Sequence, residues 1–219
     1  MLVSLRDVRA GYGGRAAVRL AQLDIAAGEH TLLLGPSGCG KTTLLNVIAG
    51  IAPVMSGEVR THDFMRYGYF EVRMRVPRGA GTVSGVFTYA DRAKGVKPNE
   101  IDIEILGKNT RAVELTIHEN GRSTTKTVAL PFDAAEGFHT YGFDWQPGYV
   151  RWYVDGVLAH QEAGPAARNL VRPQQLILNL WGSRELKAWV GPLDTKQGPW
   201  RLEFSCVAYA PTYAGSLCD

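Results

Sequence analysis

Asn99-Glu-Ile-Asp-Ile-Glu-Ile-Leu-Gly107 alternates acidic and branched apolar side chains along its length. Strict alternation over such a span is the pattern of a β-strand with one buried face and one open face. Side chains two residues apart share a face. Ile101, Ile103 and Ile105 are therefore expected to enter a core. Glu100, Asp102 and Glu104 then stand in a row on the opposite face. Three acids in a row repel one another, and a merely solvated strand would intersperse Lys, Thr or Ser.

Further strand-like runs surround this stretch, at residues 69–76, 83–89, 113–118, 124–130, 141–146, 149–154, 175–181 and 200–209. Asn120-Gly121, Pro147-Gly148 and Asp155-Gly156 are turn signals between them. Many short strands at this spacing predict an all-β fold, an antiparallel sandwich or barrel. With 219 residues and 45% hydrophobic content, the chain can bury a real core.

The texture changes near residue 60. Residues 1–60 hold one aromatic, Tyr12, and the remaining residues hold the other twenty. In the first part, residues 2–8, 18–25 and 31–34 read as strands and residues 43–49 as a helix ended by Gly50. Between them, Gly35-Pro-Ser-Gly-Cys-Gly-Lys-Thr42 satisfies G-x-x-x-x-G-K-[ST]. In a working phosphate loop the backbone around Gly35, Gly38 and Gly40 wraps phosphates, Lys41 reaches their oxygens and Thr42 holds Mg²⁺.

The net charge is +3 and no Lys or Arg run is long enough for a nucleic-acid stripe. No apolar stretch approaches the roughly 18–20 residues that cross a bilayer. The opening Met1-Leu-Val-Ser-Leu-Arg-Asp-Val-Arg9 is charged too early for a secretory signal, so no export address is expected. Neither nucleic acid nor membrane is expected as a partner, and localisation stays open. Cys39, Cys206 and Cys218 fit no metal spacing, and an odd count makes no disulfide framework. Free thiols are the expectation, although one pair could close late in the chain.

The acidic row suits chemistry at an acetal. Retaining glycoside hydrolysis uses a nucleophilic carboxylate and an acid/base carboxyl about 5–5.5 Å apart. Residues four apart in a strand have α-carbons about 13 Å apart, and long Glu side chains and strand twist close much of that gap. Asp102, between them, is placed to share a proton. Like charges so close raise at least one pKa, as a general acid requires.

Two resemblances follow from these residues. Gly35-Pro-Ser-Gly-Cys-Gly-Lys-Thr-Thr-Leu-Leu-Asn-Val-Ile-Ala-Gly50 and Ser56-Gly-Glu-Val59 resemble the start of an ABC-transporter ATPase subunit. That resemblance stops near residue 60, and no glutamine loop, signature sequence or second acidic motif follows. From about residue 67 to 209 the chain resembles glycoside hydrolase family 16, most closely its bacterial lichenases, which are endo-β-1,3-1,4-glucanases. Tyr67-Gly-Tyr-Phe-Glu-Val72, Phe87-Thr-Tyr89, Glu100-Ile-Asp-Ile-Glu-Ile-Leu-Gly107, Trp152-Tyr-Val-Asp-Gly156 and Asn179-Leu-Trp181 carry it.

The second resemblance implies a concanavalin A-like β-jelly-roll with Glu100 as nucleophile, Asp102 as assisting acid and Glu104 as acid/base. A sugar site next to this row would use Phe87, Tyr89 and Trp181 for stacking on glucose rings and Asn179 for hydroxyls. His118 shares the face of Thr116 and is expected to contact substrate or tune Glu104. Trp145 and Trp152 are open between site and core, and His139 reads as structural.

Three departures stand out. Some sixty residues before Tyr67 are ABC-like where the lichenase pattern supplies opening strands. Pro98 stands where a Trp is common. Ser205 stands where many relatives carry a calcium-ligating Asp; no metal or cofactor is required, and a structural calcium ion, common in the family, is compatible with the chain but unsupported. The expected organisation is residues 1–60 as a truncated ABC-like segment recruited into the sandwich, with residues 61–219 as the jelly-roll domain. The expected function is retaining hydrolysis of a β-glucan polysaccharide. A non-hydrolytic β-glucan-binding protein and a nucleotide-binding module are the alternatives.

Overall fold

The structure is a computed structural model that describes residues 3–12, 15–25, 39–41, 44, 54–61, 63–90, 99–198 and 200–218. Two antiparallel sheets face each other. The larger runs β2-β1-β3-β12-β5-β6-β7-β8. Its strands are β1 (Val3–Tyr12), β2 (Arg15–Ile25), β3 (Val54–Thr61), β5 (Thr82–Tyr89), β6 (Asn99–Leu106), β7 (Ala112–Glu119), β8 (Arg122–Ala129) and β12 (Gln175–Gly182). The smaller runs β11-β10-β9-β4-β13. It contains β4 (Gly68–Arg75), β9 (His139–Gln146), β10 (Tyr149–Val154), β11 (Val157–Glu162) and β13 (Glu203–Ala210). The all-β antiparallel sandwich expected from alternation is the fold observed.

Alternation decides which face each strand buries. Ile101, Ile103 and Ile105 are at most 1% exposed. They share one core with Leu115 and Ile117 of β7, Leu176 and Leu178 of β12, and Phe70, Phe143 and Trp152 of the smaller sheet. Turn chemistry sets the hairpin registers. Asn120-Gly121 and Asp155-Gly156 have positive φ at both positions, 51° and 78°, then 47° and 71°. Such turns match the twist of the strands they join, and Asn, Asp and Gly tolerate that conformation best.

Strands β1 and β3 pair antiparallel, and β3 pairs with β12 from Arg60↔Ile177 to Gly57↔Leu180. Strands β1, β2 and β3 thus extend the larger sheet, and position 60 falls inside β3. Val8, Ala10, Val18 and Leu44 make a small core of their own, joined to the sandwich through Val59 and Phe204. The strand expected at 31–34 lies outside the described residues, as does most of the helix expected at 43–49. Leu44 is helical, and its N–H donates to the Gly40 carbonyl at 2.9 Å.

Two strands were not legible. In β3, Ser56 and Gly57 interrupt the apolar pattern. In β11 the apolar residues face out at a sheet edge, with Val157 69% and Leu158 51% exposed. The last strand begins at Glu203 and not at Trp200, whose indole instead packs over Gly79.

The thiol expectation is corrected. Cys206 and Cys218 form a disulfide with α-carbons 5.7 Å apart, and Cys39 is free and exposed. The cause is a strap formed by the chain after β13. Buried Glu71 of β4 accepts from Leu217 N–H at 2.6 Å, Cys218 N–H at 2.9 Å and the Ser216 hydroxyl at 3.1 Å. Tyr213 stacks on Tyr153 with centroids 3.9 Å apart and meets Tyr69 edge-on. These anchors fold the strap onto the outer face of the smaller sheet and bring Cys218 beside Cys206. Cys206→Ser opens a short loop, whose cross-link is worth about 3 kcal/mol. Urea unfolding should show that loss in the variant, and wild type with reductant should match it. Equal stability in all three samples would mean that Glu71 alone holds the strap.

Candidate active site

The acidic row lies near the middle of the larger sheet, on the face turned away from the core. Its cross-strand partners form three parallel rows, because directly opposed residues of antiparallel strands share a face. Glu100 lies between Tyr89 and His118, and Asp102 between Phe87 and Thr116. Glu104 lies between Gly85 and Glu114. One strand further out, on β12, Gln175 faces Tyr89, Ile177 faces Phe87 and Asn179 faces Gly85. Gly85 leaves room for the Asn179 amide. A Cβ at this position would stand 2.6 Å from Asn179 Oδ1. That oxygen is buried and has no hydrogen-bond partner among the described residues.

Burial and mutual repulsion shape the charges. Asp102 is 3% exposed. Burial raises its carboxyl from 3.8 to about 8, against a hydrogen bond with Glu100 that favours the anion. His118 Nε2 lies 3.1 Å from Asp102 Oδ2, without hydrogen-bond alignment. On its other side His118 Nδ1 meets the Ser123 hydroxyl at 2.7 Å. Glu104 is also raised to about 8, by burial first, then by the charges of Asp102 and Glu114. Glu100, Asp102 and His118 offer one donor atom each within 4.8 Å of one another. Within this group Glu100 and Asp102 are joined by a hydrogen bond. From the other sheet, Trp152 Nε1 donates to the Asp102 carbonyl at 3.2 Å and fixes the strand from behind.

The structure brings Glu100, Asp102, Glu104, Phe87, Tyr89, His118 and Asn179 onto one face. Trp181 lies at its end, half-buried against Trp189 with centroids 5.8 Å apart. Trp189 belongs to a short helix, α2 (Lys187–Val190), counted after α1 (Pro165–Arg168). Trp145 and Trp152 are core, at 0% and 1% exposed. His139 stacks on Phe132 and bonds Asp155 at 2.7 Å, away from the row. Ser205 is exposed, and its hydroxyl accepts from Arg73 at 3.3 Å.

Gly35, Gly38, Thr42 and Pro98 lie outside the described residues. Gly40 packs so closely on the Ala17 carbonyl that no Cβ would fit, and Lys41 Nζ lies 3.6 Å from Cys39 Sγ. Sequence reasoning missed Glu58 and Arg60. They form an ion pair on β3, in the rows of Asn179 and Ile177. Their i, i+2 spacing was the available signal, hidden inside the ABC-like resemblance.

Comparison with known proteins agrees with this geometry. The sequence profile of glycosyl hydrolases family 16 matches residues 30–200. A "Beta-glucanase" of Paenibacillus macerans is 42% identical over 154 residues, 69% of this chain and 63% of that protein. A "prokaryotic beta-1,3-1,4-glucanase (lichenase) derived from a mouse hindgut metagenome" superposes with TM-score 0.66 at 36% identity, covering 71% of each chain. A structure titled "native glycosidic hydrolase" superposes with TM-score 0.66 at 31% identity. That likeness covers 97% of this chain and 78% of the other, so it takes in most of β1, β2 and β3. The chain belongs to glycosyl hydrolases family 16. It spans about two-thirds or less of the relatives' full length, 63% for the Paenibacillus protein.

The two raised carboxyls have a stability consequence. An unfolded Asp ionises near 3.9, whereas folded Asp102 holds its proton up to about 8. Between those values the folded chain binds the extra proton, so its stability falls as pH rises through that window. Glu104 acts in the same direction. Asp102→Asn cannot ionise and should lose less melting temperature than wild type between about pH 5 and about pH 9. Equal slopes for the two proteins would contradict the burial effect.

Proposed function

We propose that this chain is an endo-acting, retaining β-glucan hydrolase, with mixed-linkage β-1,3-1,4-glucan as its substrate. The row Glu100–Asp102–Glu104 carries the reading, because it offers a nucleophile, a proton-sharing neighbour and a protonated acid on one accessible face. Glu104 is held protonated by burial and its neighbours, as a general acid must be at neutral pH. It would donate to the glycosidic oxygen while Glu100 attacks the anomeric carbon. The C–O bond breaks and a glycosyl ester forms on Glu100. Glu104, now ionised, would take a proton from water, and that water displaces Glu100 with net retention. Asp102 shares its proton with Glu100 and limits the repulsion of three adjacent charges.

The substrate assignment rests on the surroundings of the row. Phe87, Tyr89 and Trp181 offer rings to stack on sugar C–H faces. The unpartnered Asn179 Oδ1 offers an acceptor to a hydroxyl. The linkage is taken from the lichenase that this chain resembles. Wild type should release reducing ends from barley β-glucan faster than from laminarin, with NMR showing the β-anomer first. Glu100→Gln should cut kcat by about 10⁴-fold or more while keeping the melting temperature, since it removes a nucleophile and no packing. Binding without release by wild type would favour the non-hydrolytic alternative.

We further infer that the ABC-like segment serves the sandwich as β1–β3 and performs no nucleotide chemistry. The pairing of β3 with β12 and the close packing of Gly40 on β2 support this. Millimolar Mg-ATP should leave the melting temperature unchanged, because a ligand bound to the folded state must raise it. A concentration-dependent rise would reinstate the nucleotide reading.

A further inference from the structure

Glu104 has a second acidic neighbour for which the proposed mechanism has no use. Glu114 of β7 is its direct cross-strand partner. Opposed residues have β-carbons about 4.5–5.5 Å apart, and like charges there are destabilising. A free Glu side chain would swing away from such a partner. Glu114 is restrained, because Trp189 Nε1 donates to its Oε2 at 2.9 Å. Trp189 in turn packs with Trp181 against Val83, Leu106 and Val190. A residue on a different element therefore holds this carboxylate at the acid.

The other groups facing Glu104 leave this role to Glu114. On β6 they are Asp102 and Glu100, both engaged in the mechanism. On β7, besides Glu114, His118 opposes the effect, as a cation would. Gly85 and Phe87 on β5 and Asn179 on β12 carry no charge, and Glu58 and Arg60 on β3 neutralise each other. After burial, the charges that act on Glu104 rank Asp102 first and Glu114 second.

We propose that Glu114, fixed by Trp189, is a positioning residue that keeps the proton on Glu104 and so sets the alkaline limit of glycosyl transfer. The inference rests on reading Glu104 as the acid/base. Its logic is electrostatic. An acid must arrive protonated, and a neighbouring anion penalises the loss of that proton.

Glu114→Gln tests this cleanly, since a Gln oxygen still accepts from Trp189. The alkaline limb of kcat/KM should move down by about one pH unit, with little change at acidic pH. Glu114→Asp keeps the charge and should restore most of the limb. Trp189→Phe keeps the carboxylate but frees it, and should give a smaller shift in the same direction. Carboxyl ¹³C titration, with Glu104 assigned through Glu104→Gln, reads the proton without turnover. A Glu104 midpoint unmoved in folded Glu114→Gln overturns the inference. Should that variant fail to fold, an unmoved midpoint in Trp189→Phe does so. A midpoint that moves in a protein releasing no sugar sinks the hydrolase reading and leaves the coupling of Glu104 to Glu114 standing.

Discussion

Ile101, Ile103 and Ile105 sit between the two sheets, and each contributes roughly 1.5–3 kcal/mol by leaving water. Their burial fixes the register of β6, because a one-residue slip would exchange them for Glu100, Asp102 and Glu104. Three carboxyls in the apolar layer would cost far more than the isoleucines gain. The core thus decides where the acids stand. It also holds them together against their own repulsion, with Trp152 bonding the strand from the opposite sheet. Neighbouring strands inherit this register, so Tyr89, Phe87 and Gly85 on one side and His118, Thr116 and Glu114 on the other take fixed places beside each acid.

Much of this was legible because alternation is a local signal. The acid–isoleucine pattern, the Asn-Gly and Asp-Gly turns and the aromatic pair Phe87 and Tyr89 all state their geometry within a few residues. Legibility failed where the deciding contact was distant in sequence. β3 is a strand because β12 and β1 flank it, and nothing in Ser56-Gly57 says so. Cys218 reaches Cys206 because Glu71, 147 residues before it, captures the strap. The role of Trp189 is visible only once α2 is seen to reach Glu114, 75 residues earlier. The resemblance of residues 35–59 to another protein class drew Glu58 into a different reading, although pairing across β12 places it in the row of Asn179.

Buried carboxyls occur on both sheets and are satisfied in different ways, Glu71 by N–H and hydroxyl donors alone. Away from the row, Asp133 is pulled down to about 2 by Thr110 first, with help from Arg78. Arg75 pairs with Glu203 across β4 and β13. Among the described residues, the direct cross-strand partners of the three acids include no Lys or Arg. Stability at higher pH and a retained proton therefore stand in opposition at this site, a strain that functional sites commonly carry.

The place of β12 in the larger sheet sets an order of events in time. It lies between β3 and β5, and among the described residues no other pairing joins β1–β3 to β5–β8. During synthesis the two groups of strands are complete long before residue 175 emerges. Hairpins β1–β2, β5–β6 and β6–β7 close locally, whereas β12 must return across a long stretch of chain to both, which is slow. A chain caught before that step already carries its three acids on a strand but has no Asn179 beside them. The face matures late, as a by-product of topology, with its acidic row in place before its β12 edge.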